Sequence, residues 1–430
     1  MGYLLNYSQS FSTYGTYVNV KQFGAKGDGV TDDTAAIQSA LNGGGSIYFP
    51  QGNYKVTQPL NVTVYNTQLF GNASINQNGN GSVIQSYLTS GSTLNVTTTA
   101  YISNLSLNGT NAASGVNGLS LGGTPGGAGS IIMGVTSTNF TGGSAIVTGD
   151  NTYDISVSNS FFQNSEYGVN IGGAGSSDSG ERMIFDTCSI SNNSSNGIII
   201  QVATVGTRVS ATFTNCDIDF NNGGILNIAT GVAGKIRLQN CDFNIPNPAS
   251  YDFITYNVTG QTDSMDLYII NCSLNGGVAS GYYGINIPTA LNGISRIFVV
   301  GSLLPYNPAN NYIINNDGTP AVNGQSQGRM PMWSYAPNTQ LGTAVQPGNA
   351  PSSITVGASP FTFTPYGVNA YDAPAIIAVV ISGGAGVGLE LNGTTLASSL
   401  SGTETIIMRN ADSLTVSYTT APTMYWYALL

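Results

Sequence analysis

Three aspartates of this sequence have the residue type and spacing that paired-carboxylate chemistry requires. Asp217 and Asp219 flank Ile218, and Asp242 follows an Asn-Cys dipeptide as Asp217 does. Alternation along a strand directs Asp217 and Asp219 to one face, and a repeat of the strand would place Asp242 beside them, within about 5 to 7 Å. Hydrolysis of a glycosidic bond needs two carboxylates about 5–5.5 Å apart for retention or about 6.5–9.5 Å for inversion. We therefore predict Asp217, Asp219 and Asp242 as catalytic residues of glycoside hydrolysis.

Other interpretations of these aspartates stay open. They are equally typical of a solvated surface, or of a carboxylate cluster that holds calcium. The hydrolytic chemistry itself requires no metal and no cofactor, so we expect none. Lys235 and Arg237 are predicted to be outward neighbours of the three aspartates, and such cations would also suit elimination from acidic sugars.

A second group of carboxylates precedes the first in the chain. Glu166, Glu181 and Asp186 are the second choice for catalysis, and they lie close to a long loop between residues 172 and 180 that also contains Asp178. Loops that project from a repeated scaffold often build its functional site. A solvated loop with an ion pair between Arg182 and a carboxylate is the simpler interpretation of the same residues.

Aromatic side chains suggest where a sugar would bind. The chain contains 24 Tyr, 15 Phe and 2 Trp. A Tyr ring matches the apolar face of a sugar, and its hydroxyl matches the polar rim. The predicted substrate-binding residues are Lys235, Arg237, Tyr251, Tyr256 and Tyr268. Most other tyrosines are expected to serve packing.

The charge balance excludes several classes of function. The 430 residues include 10 Lys and Arg, 20 Asp and Glu and no His, which gives a net charge of −10. Such a chain has no basic patch able to neutralise phosphates, so we expect neither a nucleic acid nor an anionic membrane as partner. Without His, Ser-His-Asp triads and imidazole metal sites are also excluded.

A repeat of short strands must position these residues. Strand, polar corner and second strand recur from about residue 66, with a mean step of 28 residues between equivalent positions. A period of this size without helices predicts a solenoid of β coils. The four cysteines fall at one position of the repeat: Cys188, Cys216, Cys241 and Cys272. We expect a ladder of free, buried thiols rather than a metal site or disulfides, which suits folding in a reducing cytoplasm.

The pattern divides the chain into four parts. Residues 1–65 form an N-terminal segment and cap, with a helix predicted between residues 27 and 41, Thr31 or Asp32 as its N-cap, and strands over residues 46–50 and from Tyr54. Residues 66–304 form the solenoid, 305–353 a linker or stem rich in Pro, Asn and Gly, and 354–430 a β-sandwich.

Residues 18–38 and 45–54 resemble the opening of the pectate-lyase-like superfamily, through the sequences VNVKQFGAKGDGVTDDTAAIQ and GSIYFPQGNY. This resemblance implies an all-β, right-handed parallel β-helix of the kind found in phage tailspikes and polysaccharide-degrading enzymes. Asp28, Asp32 and Asp33 of the motif are predicted to shape a turn and cap a helix rather than to catalyse. The aspartate group loosely resembles the three-Asp site of polygalacturonases, whose His has no counterpart here.

The C-terminal residues 358–364, 380–384 and 412–424 are similar to C-terminal modules of phage tail proteins. Together the two resemblances imply a tailspike-like homotrimer that binds and hydrolyses a bacterial surface polysaccharide, in contact with other virion tail proteins. Its expected location is the virion tail, outside the cell after lysis, because the first 15 residues lack the features of a secretory signal. A non-catalytic receptor-binding or structural tail protein, and a β-helical surface filament or adhesin subunit, remain alternatives.

Overall fold

The computed structural model is mostly β, with a parallel β-solenoid of about 9 turns at about 28 residues per turn and a C-terminal antiparallel module. This confirms the predicted fold class and the repeat. The structure describes residues 17–428 except for 73–80, 124–125, 173–178, 203–206, 258–264, 289–295, 301, 303, 306–311, 317–318, 324–332, 336–351, 355, 364–375, 398–402 and 410–411. The predicted catalytic-loop residue Asp178 lies outside the described residues.

The chain forms two compact units, of which the first contains the described residues of 17–203 together with Cys216–Asn222. Each coil contributes one strand to each of three parallel sheets. The strands of the first sheet are Val18–Asn19, Ser46–Phe49, Thr67–Gly71, Ala100–Ser103, Ile131–Met133, Ser156–Ser158 and Met183–Asp186. Those of the second are Asp28–Asp32, Gly52–Val56, Ser82–Ser86, Ser106–Asn108, Thr136–Thr138, Phe161–Gln163, Ser189–Ser191 and Asp217–Asp219. Those of the third are Leu60–Val62, Ser92–Val96, Asn117–Leu121, Ser144–Thr148, Tyr167–Ile171 and Ile198–Ile200. A short extra pair is formed by Thr152–Tyr153 and Ser179–Glu181.

The second unit contains the described residues of 207–215 and 223–428. Its first sheet has the parallel strands Arg208–Thr214, Ala233–Gln239, Met265–Ile270 and Arg296–Val300, with Trp333–Tyr335 added antiparallel. Its second sheet has Asp242–Asn244 and Ser273–Asn275. Its third sheet has the parallel strands Leu226–Ile228, Ile254–Tyr256, Ile285–Ile287 and Tyr312–Asn316, with Thr319–Asn323 antiparallel. The segment predicted as a linker or stem, 305–353, therefore contributes strands to these sheets.

The C-terminal module consists of two antiparallel sheets around one apolar core. One sheet contains Ser352–Ile354, Thr423–Ala428, Ile376–Ser382 and Glu404–Arg409. The other contains Phe361–Phe363, Leu414–Ser417, Gly388–Leu391 and Thr394–Ala397. Val379, Met408, Leu414, Val416 and Met424 are buried between them. Period-two alternation places these side chains inward, as expected for a β-sandwich.

Tight corners join the first sheet to the second. In six coils the residue directly after the first-sheet strand has a left-handed backbone, with φ between +49° and +55°: Asn104, Asn159, Thr187, Asn215, Asn240 and Asn271. Asparagine tolerates this conformation because its short polar side chain bonds locally, whereas a β-branched residue does not. The Asn of the Asn-Cys repeat thus occupies the corner position.

The N-terminal cap differs in detail from the prediction. The helix spans Thr34–Gly43, while Asp28–Asp32 forms a strand. Its N-cap is Asp33, so the prediction of Thr31 or Asp32 as the N-cap was wrong. The Asp28 carboxylate accepts hydrogen bonds from the backbone N–H groups of Val30 and Thr31, which holds this segment in a turn. The next strand begins at Gly52 rather than Tyr54.

Asparagine side chains also bridge coils inside the first unit. Asn193 and Asn221 are fully buried, and the Asn193 Nδ2 donates to Asn221 Oδ1 at 2.8 Å. The Ser165 N–H donates to Asn193 Oδ1 at 3.0 Å, and Asn221 Nδ2 donates to the carbonyl of Ile190 at 2.9 Å. These bonds satisfy backbone groups, among them the Ser165 N–H, which lies at a turn outside the strands.

The four cysteines are buried, as predicted, and none of them forms a disulfide. Within each unit they occur on consecutive coils: the Asp217 N–H donates to the Cys188 carbonyl at 2.9 Å, and the Ser273 N–H donates to the Cys241 carbonyl at 3.0 Å. A hydrogen bond with Cys241 and burial both raise the pKa of the Cys272 thiol, so this thiol stays protonated.

Candidate functional site

The aspartate pair of the first unit has the geometry that was predicted for it. Asp217 and Asp219 are the first and last residues of a second-sheet strand, on either side of the buried Ile218. The strand rise separates their backbones by about 7 Å on one outward face. The preceding coil offers Ser189 and Ser191 directly opposite them. Inverting glycosidases hold their carboxyl groups about 6.5–9.5 Å apart, a separation that side chains on backbones about 7 Å apart are able to adopt.

Strand alternation from the buried Ile218 predicts an inward-pointing Phe220, and this prediction is wrong. It has φ +48° and its side chain is 48% exposed. The alternation ends here because the strand stops at Asp219 and the chain turns a corner, where the preceding coils have Asn139, Asn164 and Asn192. The corner therefore presents an aromatic ring to solvent directly after Asp219.

Asp242 belongs to the second unit. It is exposed at the start of the strand Asp242–Asn244, in the position after Cys241 that Asp217 holds after Cys216. Its carboxylate accepts a hydrogen bond from the Ser273 hydroxyl of the next coil. Asp242 thus holds in its coil the position that Asp217 holds in its own, as predicted. A joint role of Asp242 with Asp217 and Asp219 stays a prediction.

A groove with a volume of about 490 Å³ lies on the third sheet of the first unit. Side chains of successive coils form a chain of hydrogen bonds across its floor. Asn117 Nδ2 donates to Ser92 Oγ at 3.5 Å, Asn170 Nδ2 to Ser144 Oγ at 3.2 Å, and Gln201 Nε2 to Asn170 Oδ1 at 3.2 Å. Such uncharged donors and acceptors are the groups that hydrogen bonds to sugar hydroxyls require.

Two carboxylates line this groove, Asp150 and Glu166. Tyr167 pairs with Ser144 across the sheet, so Glu166 lies near the start of the strand Ser144–Thr148 and Asp150 lies beyond its end. The strand is about 13 Å long. This length exceeds the separation that two carboxylates need to act on one glycosidic bond, so Asp150 and Glu166 do not form a hydrolytic pair.

Tyr167 stands beside Glu166 in the groove wall. Burial raises the pKa of the Tyr167 phenol, and the negative charge of Glu166 raises it further, while a contact with the Ser195 hydroxyl acts in the opposite direction. The phenol therefore remains protonated at neutral pH. A side-chain hydrogen bond with Glu166 also raises its pKa, so the phenol proton is directed at that carboxylate.

The second-choice carboxylates lie on three different elements. Glu166 precedes a third-sheet strand, Glu181 ends the short strand Ser179–Glu181, and Asp186 ends a first-sheet strand. Arg182 forms an ion pair with Asp154 at 2.6 Å, and both side chains are exposed. The simpler interpretation of this region, a solvated segment with an Arg–carboxylate pair, fits these positions.

The predicted sugar-binding residues separate into core and surface groups. Tyr256 is fully buried and donates to the Met265 carbonyl, so the prediction that it binds substrate was wrong. Tyr256 occupies an inward-facing position of its strand. The ring packs in the apolar interior, and the backbone carbonyl of Met265 accepts the hydrogen bond of its hydroxyl. Burial raises the pKa of Tyr251 to about 12, and its hydroxyl has no hydrogen-bond partner among the described residues. Lys235, Arg237 and Tyr268 share the outward side of one sheet.

Asp252 is a candidate that sequence reasoning missed. Its carboxylate accepts hydrogen bonds from the Tyr283 N–H at 2.9 Å and the Asn286 Nδ2 at 2.7 Å. Burial nevertheless raises its pKa, which favours a protonated carboxyl. The residue follows Tyr251 in an irregular segment without a repeat signal, so only the fold shows that it is half-buried.

In the part of the chain that the structure describes, no group of three or more Cys, Asp or Glu side chains is arranged to hold a metal ion. No helix among the described residues is long and apolar enough to cross a membrane.

Comparison with known proteins matches part of the chain to a family model. Residues 17–226 match the model of the family described as rhamnogalacturonase A/epimerase, pectate lyase-like. The non-secreted LysM effector LysM15 of Penicillium expansum is 44% identical over 73 residues, which is 14% of this chain and 5% of the effector. The chain thus matches only a small fraction of that relative's length.

Two solved structures are similar over most of the chain. ORF18 of Geobacillus virus E2 has a TM-score of 0.46 and 17% identity, over 94% of this chain and 76% of the viral protein. The enzymatically active domain of tailspike protein 4 of bacteriophage CBA120 has a TM-score of 0.46 and 14% identity, over 97% of this chain and 69% of that domain. The family match covers residues 17–226, just under half of the chain, and the coils of this stretch form a parallel β-helix.

Proposed function

We propose that this protein is a tailspike-like virion component that binds a surface polysaccharide of a bacterial host and hydrolyses it. The observation that carries the proposal is the groove of the first unit, about 490 Å³ in volume, whose floor is a chain of amide and hydroxyl groups. A site of this size and polarity suits an uncharged stretch of a sugar polymer. The matched family, whose description includes a rhamnogalacturonase, supports a polysaccharide as the substrate class.

Hydrolysis is assigned to Asp217 and Asp219 rather than to the groove carboxylates. Their spacing of about 7 Å leaves room for the attacking water of an inverting reaction, with one carboxyl as acid and the other as base. The exposed ring of Phe220 offers an adjacent apolar surface for a sugar. Asp242, in the second unit, remains a separate predicted catalytic residue. A long polymer is able to occupy the groove with one stretch while another stretch is cleaved.

The test is the release of reducing ends from capsular or O-antigen polysaccharide of the host. Asp217→Asn and Asp219→Asn are each expected to lower turnover by about 10² to 10⁴, because a positioned acid or base contributes that much. Asp242→Asn is expected to do the same. Asp154→Asn is the matched control, since it removes an exposed carboxylate that is paired with Arg182. Polysaccharide binding should survive in all four variants.

Other results would change the residues or the reaction assigned to this protein. Unchanged turnover in the three catalytic variants would remove them from the mechanism, and Glu166→Gln would then be measured. An unsaturated product, detected by its ultraviolet absorbance, would replace hydrolysis by elimination. Binding without any cleavage would leave a receptor-binding tail protein. Asn170→Ala should weaken binding without changing the reaction products, because it removes two of the side-chain hydrogen bonds of the groove floor.

A further inference from the structure

The groove of the first unit has a negative charge that the proposed hydrolysis does not use. Among the described residues that line it, Asp150 and Glu166 are the charged side chains, and neither Lys nor Arg is present. The rest of this lining consists of glycines and of uncharged side chains, most of which are hydroxyls and amides. The lining therefore has two negative charges and no positive one, whereas the proposed hydrolysis involves Asp217 and Asp219 on the second sheet.

Glu166 is fixed at one end of the groove by its backbone and by its neighbour. Its N–H donates to the Gly143 carbonyl at 2.8 Å, and its carbonyl accepts a hydrogen bond from the Ser195 N–H at 2.9 Å. Its carboxylate forms a hydrogen bond with the Tyr167 phenol. A carboxylate has about four lone-pair sites, so a single phenol donor leaves most of its acceptor capacity to a ligand.

Asp150 lies at the other end of the groove, beyond the strand Ser144–Thr148. Its backbone carbonyl accepts a hydrogen bond from the Gly123 N–H at 2.9 Å, which fixes the turn that carries its side chain. The length of the strand, about 13 Å, separates Asp150 from Glu166. One metal ion does not bridge this distance, because calcium holds its oxygen ligands at about 2.3–2.6 Å. An extended molecule with more than one cationic group is able to reach both carboxylates.

The groove floor between the two carboxylates is polar and neutral. Asn170 is 7% exposed, and its amide is fixed because it donates to Ser144 Oγ and accepts from Gln201 Nε2. Fixed amides and hydroxyls suit the hydroxyl groups of sugars. A cleft lined by charge of one sign concentrates ligands of the opposite sign and repels those of the same sign. The groove thus combines a floor for sugar rings with two ends that favour a cation.

We propose that the groove binds a sugar chain with free, protonated amino groups, so that the polysaccharide recognised by this protein contains amino sugars that are not acylated. The ammonium group of one sugar donates hydrogen bonds to the Glu166 carboxylate, and an ammonium group further along the chain donates to Asp150. The sugar rings between them lie on the floor at Asn170. This inference rests on the proposed function, and it defines the class of polysaccharide.

The experiment compares cellotetraose with the corresponding tetramer of glucosamine, in which an ammonium group replaces one hydroxyl of each ring. Isothermal titration calorimetry on the full chain is expected to show that the glucosamine tetramer binds at least about tenfold more tightly, since a hydrogen bond to a charged group contributes that much or more. The preference should shrink with added sodium chloride, which screens the carboxylates. The double variant Asp150→Asn, Glu166→Gln should bind both tetramers equally.

Asp154→Asn is the matched control. It removes one negative charge from the protein, as each single groove variant does, but Asp154 is outside the groove lining and pairs with Arg182 at 2.6 Å. This variant should keep the preference for the glucosamine tetramer. Asp150→Asn and Glu166→Gln alone should each lower the preference, because each leaves one carboxylate in the groove. Both substitutions keep the size of the side chain, so the single variants test the site even if the double variant folds poorly.

Three results would overturn the inference. The first is equal affinity of the wild type for both tetramers, which would leave the proposed function intact because binding of neutral sugars belongs to the groove floor. The second is a preference that persists in the double variant or is lost in Asp154→Asn, since the attraction would then come from the net charge of −10. The third is binding of calcium chloride alone that the double variant loses, which would make the groove a metal site. Failure of reducing-end release would instead count against the proposed function.

Discussion

At the scale of residues, the same residue type serves different purposes according to its backbone neighbours. Asp28 organises a turn, Asp217 and Asp219 project from a strand, and Asp252 is half-buried with a raised pKa. Their sequence contexts distinguish the first two uses, because Gly-Asp-Gly predicts a turn and Asp-Ile-Asp predicts alternation. Nothing in the sequence around Asp252 signals its burial.

The turn at Asp28 predicts a pH dependence of stability. Hydrogen bonds from the N–H groups of Thr31 and Val30 lower the pKa of Asp28 to about 2, from 3.8. A lowered pKa in the folded state means a stabilising contribution that is complete above about pH 4 and is lost as the pH falls toward 2. Asp28→Asn should therefore reduce the free energy of unfolding at pH 7, and the difference from wild type should shrink between pH 4 and pH 2. Denaturant titrations at pH 7, 4, 3 and 2 check this; a difference that is constant with pH would contradict it.

At the scale of elements, the corners decide how the coils close. A residue with φ near +50° follows each of six first-sheet strands, and five of the six are asparagine. The repeated Asn in the sequence predicts these corners. The cysteine after the corner is buried because the chain re-enters the second sheet there with its side chain inward.

Two corners depart from asparagine and predict a gain in stability. Thr187 is β-branched at φ +53°, and Phe220 is aromatic at φ +48°. Such residues fit the left-handed region poorly, so Thr187→Asn and Phe220→Asn should each increase the free energy of unfolding by about 1 kcal/mol. Asn159→Ala, at an exposed corner, should decrease it by about the same amount. Chemical denaturation measures all three.

The two stabilising variants also separate structure from function. Phe220→Asn should weaken binding of the polysaccharide if the ring supports a sugar beside Asp219, whereas Thr187→Asn should leave binding unchanged. A loss of stability in Thr187→Asn would show that the left-handed corner does not set the preference for asparagine.

At the scale of the whole molecule, composition and fold together bear on assembly. Only 7% of residues are charged, and the surface of the solenoid is largely Ser, Thr, Asn and Gly. A surface of this kind permits close packing between copies, because polar uncharged groups pair readily across an interface.

We predict a homotrimer, which is the assembly that a resemblance to tailspikes implies. Multi-angle light scattering should give a mass about three times 44.4 kDa. The same mass is expected for Asp217→Asn and Lys235→Gln, because neither is proposed to lie in a subunit contact. A monomer at micromolar concentration would contradict the prediction.

The sequence by itself determined the repeat, the fold class and the buried cysteines, because a 28-residue period with regular corners leaves a single way to bury each coil's apolar side, against the next coil. It also placed Asp217 and Asp219 on one outward face, since alternation within a strand is local. Only the tertiary structure decided that Phe220 is exposed, that Tyr256 is core, and that Asp150 and Glu166 lie a strand length apart. These properties depend on where a strand ends and on which coils meet. Such contacts join residues about 23 or more positions apart, beyond the reach of any local pattern.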